Sequence, residues 1–202
     1  MTPIRRSRFV VRGRQLSLAT VVTLLFLIGS AGSAISEDGN PALSNVPKAF
    51  VGTWKVESVL VDLGSSRTLL YQRDDPRLIG KQFTISDLKI ESNTPEAREC
   101  LMPGAALWKT TARSLLALTL APHGIPGSRP TVNDYELPLA PDAQVDAWSV
   151  KCNPGRFGPY PLNTAWGALS AKDLGTWIVA LPTGHLALRW YDQTILILTR
   201  AP

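Results

Sequence analysis

The chain has 202 residues, with 21 Lys+Arg against 16 Asp+Glu and a net charge of +5. All five excess charges are arginines within residues 1–34, which hold no acid, so residues 35–202 carry 16 of each sign and are neutral. A neutral body lacks the surplus of cations that phosphate neutralisation needs, which excludes nucleic acid as a partner.

Arg5, Arg6, Arg8, Arg12 and Arg14 precede an uncharged apolar run from Leu16 to Ile28, and small residues follow from Gly29 to Ala34. A basic flank, a short apolar stretch and a small-residue site predict a secretory signal peptide over 1–34. The run of 13 residues falls short of the roughly 20 that span a bilayer. Arg5-Arg6 followed by Phe9 is a loose match to a twin-arginine signal, and general secretion is the expected route. No later apolar run is long enough to cross a membrane, and no cysteine lies near the expected cleavage region, so no stable membrane anchor is expected. The expected location is periplasmic or secreted.

A flexible linker is expected over 35–49, from Gly39, Pro41 and Pro47 and the lack of apolar period, with a single β domain over 50–202. Val51 to Val61 reads as a strand with Trp54, Val56 and Leu60 on one face and Ser58 breaking it. Gly64-Ser65-Ser66 marks a turn, Thr68 to Gln72 a short strand, and Asp74-Asp75-Pro76 another turn. Lys81 to Ile85 and Leu88 to Glu91 form a hairpin around Ser86-Asp87.

Trp108 to Leu120 fits one bent strand, two strands, or a short helix around Ser114 to Thr119, because periodicity does not decide so short a run. Pro and Gly make 121–130 a loop, Val145 to Cys152 is a strand, and 153–163 is a second loop carrying Phe157 and Tyr160. At the C-terminal end Thr176 to Leu181, Leu186 to Trp190 and Thr194 to Thr199 predict a three-stranded meander. Trp177, Val179 and Leu181 share one face of it, and so do Leu186, Leu188 and Trp190. Many short strands between turn signals, without a long amphipathic helix, give an all-β fold.

Cys100 and Cys152 are the only cysteines, and in an oxidising compartment they are expected to form one disulfide. His123 and His185 show no ligand spacing to them, so no metal is expected, and no cofactor motif is present. The six tryptophans are Trp54, Trp108, Trp148, Trp166, Trp177 and Trp190. They serve either as core or as an aromatic pocket lining. Arg189-Trp190-Tyr191-Asp192 is the densest polar-aromatic cluster. It reads as a hairpin corner with Asp192 shaping the turn and Arg189 stacked on Trp190, or as a site for a polar head group. Arg73-Asp74-Asp75-Pro76-Arg77 reads as salt-bridged turn chemistry, or as a carboxylate pair for acid/base work or cation binding, which adjacent strand positions facing opposite sides disfavour. No nucleophile motif is present, so binding is expected ahead of catalysis, for which Asp192 with Tyr191 is the candidate pair.

Gly52-Thr53-Trp54 at the start of the first long strand resembles the Gly-x-Trp of lipocalins and related calycins, and Asn133-Asp134-Tyr135 is similar to their Thr-Asp-Tyr motif. The resemblance implies an antiparallel up-and-down barrel of about eight strands, with a late arginine, Arg189 or Arg200, packed over Trp54. It further implies binding of a small apolar or amphipathic molecule, with contacts from Trp54, Tyr71, Trp177, Arg189 and Trp190. The alternative is an envelope-protein partner, for example a cell-wall hydrolase, met through loops 121–130 and 153–163.

Overall fold

The computed structural model describes residues 44–123, 127–159 and 175–202. The expected signal peptide, residues 35–43 of the expected linker, residues 124–126, Tyr160 and Trp166 lie outside the described residues.

The strands are β1 (Ser44–Asn45), β2 (Gly52–Leu60), β3 (Gln82–Ile85), β4 (Lys89–Ser92), β5 (Cys100–Leu101) and β6 (Gly104–Thr111). After helix α1 (Ala112–Thr119) come β7 (Gln144–Lys151), β8 (Trp177–Ala180), β9 (Leu186–Arg189) and β10 (Ile195–Arg200). They form one antiparallel sheet in the order β1-β6-β7-β8-β9-β10-β2-β3-β4-β5, curled into a half-barrel. The all-β antiparallel expectation holds, but the count is ten rather than about eight. Two of the additional strands, β1 and β5, are two residues long, too short to show a period of two in sequence. Ordered structure also begins before Phe50. Ser44 and Asn45 pair with Ala105 and Gly104, and Val46 is buried.

The order is that of an up-and-down meander whose first and last long strands, β2 and β10, pair along their length. The break falls between β5 and β6. There the chain just after β7 stitches onto β5: Asn153 N–H donates to Leu101 O at 2.9 Å, Leu101 N–H to Pro154 O at 3.0 Å and Arg156 N–H to Glu99 O at 2.8 Å. The expected disulfide, Cys100–Cys152, lies in this seam with a Cα–Cα distance of 5.1 Å. Gly155 has φ +102°, and a Cβ there would lie 2.0 Å from Glu99 O. Only glycine lets the two backbones approach this closely.

Both faces of the central sheet are buried, which explains the near-continuous apolar runs of β8 to β10. One core takes residues from eight strands and so fills the inside of the curl. Among them are Trp54, Val56, Phe83, Ile90, Ile178, Leu188, Leu196 and Leu198, with Tyr71, Phe157 and Trp190 packed among them. The second core lies between β7 to β10 on one side and α1 with the 132–137 segment on the other. Leu115, Leu116, Tyr135, Trp177, Val179, Ile195 and Ile197 meet there.

The expected faces of β8 and β9 are observed, but that of β2 is corrected. The pairing with β10 jumps from Ile197↔Ser58 to Leu198↔Val56, leaving Glu57 as an extra residue. This bulge flips the alternation. Val59 joins Trp54 and Val56 in the inner core, while Leu60 faces the second one.

The 108–120 ambiguity resolves into the end of β6 followed by α1. Thr111 caps the helix, its hydroxyl accepting from Ser114 N–H at 3.2 Å. Thr68 to Gln72 is not a strand. Tyr71 turns into the inner core, and Leu70 N–H is taken by the Asp192 carboxylate instead of a strand neighbour.

Candidate functional site

Three connections meet at one end of the sheet: β2–β3, α1–β7 and β9–β10. Leu63 N–H donates to Asp134 O at 2.9 Å, and Ser66 donates to His123 O through both its amide and hydroxyl, at 3.0 and 2.8 Å. Tyr135 Oη donates to Gln193 O at 2.7 Å and Ala121 N–H to Gln193 Oε1 at 2.8 Å. Arg73 and Glu136 pair at 2.6 Å.

Within this end, Leu69, Leu70, Tyr71, Asp75, Pro76 and Arg77 border an open groove of about 370 Å³. Leu70 is exposed, whereas Tyr71 is 3% exposed. The Arg77 guanidinium lies over the Tyr71 ring at 4.7 Å and donates through Nε and Nη2 to the two Asp75 carboxylate oxygens, at 2.9 and 2.7 Å. Asp75 also accepts from the backbone amides of Arg77 and Gln72. The hydrogen bonds from the Arg77 side chain, seconded by those amides, hold the Asp75 carboxyl well below the usual carboxylate range despite its burial. This is the salt-bridged turn expected from sequence.

The buried hydroxyl of Tyr71 has no hydrogen-bond partner among the described residues.

The five ligand-contact residues expected from sequence are all buried, but they do not converge. Trp54, Tyr71 and Trp190 belong to the inner core. Trp177 belongs to the second core, its indole N–H donating to Thr119 Oγ1 at 2.9 Å. Arg189, 1% exposed, alternates away from the face of Leu188 and donates to Gly175 O. It therefore does not stack on Trp190, because neighbours on a strand point to opposite faces. Burial lowers the Arg189 guanidinium to about 10. Trp190 instead meets Phe83 at 5.2 Å and Tyr191 at 5.1 Å, both edge to face.

Asp192 shapes the corner as expected, with φ 49° and its carboxylate on Leu70 N–H. Of the two late arginines, Arg200 covers Trp54, its guanidinium 4.6 Å from the ring centroid. It also donates to Val51 O at 3.0 Å and Ala49 O at 3.1 Å. A Cβ at Gly52 would lie 2.4 Å from Arg200 Nη1, so the glycine of Gly52-Thr53-Trp54 makes room for this arginine.

A second polar group, missed in the sequence, joins the same loops. Asp62, His123 and Asp134 bring one nitrogen and two carboxylate oxygens within 4.8 Å of one another. Burial, partly offset by His123 and by the Gly64 amide, raises the Asp62 carboxyl above its ordinary value. The three positions have no short spacing. Asp134 drew attention only through the motif around Tyr135, a side chain whose hydroxyl burial and the nearby Asp62 push upward.

No family model, curated protein or solved structure matches the chain.

Proposed function

We propose that the protein is an exported, lipocalin-like binder of a small amphipathic molecule, held in the groove beside Tyr71 and not by the tryptophans themselves. The observation that carries this reading is the groove bordered by Tyr71, whose buried hydroxyl has no hydrogen-bond partner among the described residues. Such a group costs about 1–3 kcal/mol, which a ligand offering an acceptor recovers. Leu69 and Leu70 supply apolar wall, and the groove volume falls within the 300–1,000 Å³ or so common to small-molecule sites. The Arg200–Trp54 contact and the β2–β10 pairing agree with the calycin resemblance. A formed disulfide is consistent with an oxidising compartment, and no helix among the described residues is long and apolar enough to cross a membrane.

An envelope-protein partner has less support, because Phe157, an intended contact, is buried against Phe83 and Trp190.

Titration of the full chain with a fatty acid, haem and a retinoid, read by Trp fluorescence, tests the proposal. One of them should give a saturable change at one ligand per chain. Tyr71→Phe should weaken that binding roughly 2- to 10-fold, while stabilising the free protein. No saturable change with any of the three contradicts the reading.

A further inference from the structure

We propose that Asp62, His123 and Asp134 bind a divalent transition-metal ion, Zn²⁺ foremost, at the junction of the loops that follow β2 and α1. The site is separate from the groove and does not depend on what the groove binds.

The argument starts from His123. Its residue is 8% exposed, and Nε2 lies 3.2 Å from Asp62 Oδ2 and 3.5 Å from Asp134 Oδ2. Yet Nε2 makes no hydrogen bond among the described residues. Both carboxylates are near enough, so it is direction that fails. Ligand atoms about 2.1 Å from a tetrahedral ion stand about 3.4 Å from each other. The two observed separations are close to that spacing, so an ion placed between the three side chains replaces poorly directed contacts with bonds.

The remaining interactions hold the ligands in place. Asp62 Oδ1 accepts from Gly64 N–H at 3.0 Å, leaving Oδ2 toward His123. The Asp134 carboxylate is fixed through Oδ2, which accepts from the amide and hydroxyl of Thr131, both at 2.7 Å, while Oδ1 lies on the side of Gly64 and is the oxygen left to an ion. The His123 carbonyl is held twice by Ser66. Gly64 packs against the imidazole so closely that a Cβ would lie 2.8 Å from His123 Cε1 and 3.1 Å from Asp134 Oδ1. The three ligands are therefore oriented before any ion arrives, as second-layer contacts do in metal sites.

One imidazole and two carboxylates suit Zn²⁺, Mn²⁺ or Co²⁺ better than Ca²⁺ or Mg²⁺, which take all-oxygen sites. Three protein ligands leave a fourth position of a tetrahedral ion for water or a further donor.

The chain has two histidines, which makes the test direct. Zn²⁺ is added to the tag-free full chain while the imidazole NMR signals are followed. The proposal predicts that His123 signals move and saturate at one ion per chain, that His185 stays put, and that excess Mg²⁺ does not reverse the change. Gly64→Ala keeps every ligand and should weaken Zn²⁺ binding about tenfold. His123→Ala should abolish it and remove any rise of Tm with Zn²⁺, whereas His185→Ala should leave both intact. Movement of His185 alone, unsaturable movement of both rings, or no movement overturns the site. The wild-type spectra decide this even if a variant fails to fold.

Discussion

Asp75 and Tyr71 stand side by side in the groove wall and illustrate opposite ways of burying polarity. Asp75 is satisfied: Arg77 grips both its oxygens and two backbone amides donate to them. Its carboxyl is depressed in the folded chain, chiefly by the Arg77 side-chain hydrogen bonds. The sign follows from linkage. The unfolded carboxyl titrates near about 3.9, so the stabilising contribution is complete above that pH. It fades as pH falls toward the lower folded value. Denaturant unfolding of wild type and Asp75→Asn across this range should show a wild-type advantage at pH 7 that shrinks steadily below about pH 4. An advantage unchanged down to pH 2 or so would mean that packing, not charge, holds this turn. Tyr71 lacks a partner of this kind among the described residues, and the proposed ligand would supply one.

At the scale of elements, the seam between β5 and the chain after β7 has almost no ladder of its own. Two residues of β5 pair with β4, and the other side is held by three backbone hydrogen bonds, Gly155 and the disulfide. The bridge closes 52 residues, worth about 4 kcal/mol in the chain-entropy model. Cys100→Ala with Cys152→Ala should therefore lower unfolding stability by about 2–5 kcal/mol. Amide exchange should accelerate first at Leu101 and Arg156, and loss of protection spread evenly over β8 to β10 would contradict this placement of the weak edge.

The same elements show what the sequence makes legible. β8, β9 and β10 are clear because both their faces are buried and short turns separate them. The pairing of Cys100 with Cys152 follows from there being only two cysteines. β1 and β5 carry no pattern because their pairing is dictated by neighbours, and the β2 bulge erases the alternation that would place Val59 and Leu60. Tryptophan content marks the cores, but it does not distinguish a core from a pocket. Trp177 and Trp190 look alike in sequence and lie on opposite faces of the sheet. Asp62, His123 and Asp134 are brought together only by folding, across 72 positions of chain.

For the molecule as a whole, a curled sheet packed on both faces leaves little interior for cargo. The proposed binding therefore belongs to the end where three connections converge. There a groove of about 370 Å³ is bordered by Tyr71, whose buried hydroxyl has no partner among the described residues. The inner core holds that end firmly, because Trp190, Phe83 and Phe157 interlock directly beneath strands that hydrogen-bond continuously from β6 to β4. A rigid scaffold presenting loops in this way is a common arrangement for recognition. The most direct measurement is backbone NMR shift mapping of the full chain, titrated with whichever of the fatty acid, haem or retinoid changes its fluorescence. Binding in the groove predicts saturable shifts centred on the amides of Leu70, Tyr71, Gln72 and Arg77, with the Tyr71→Phe variant displaced to higher ligand concentration. Shifts centred on Lys151 to Phe157, with 69–77 unmoved, would contradict it.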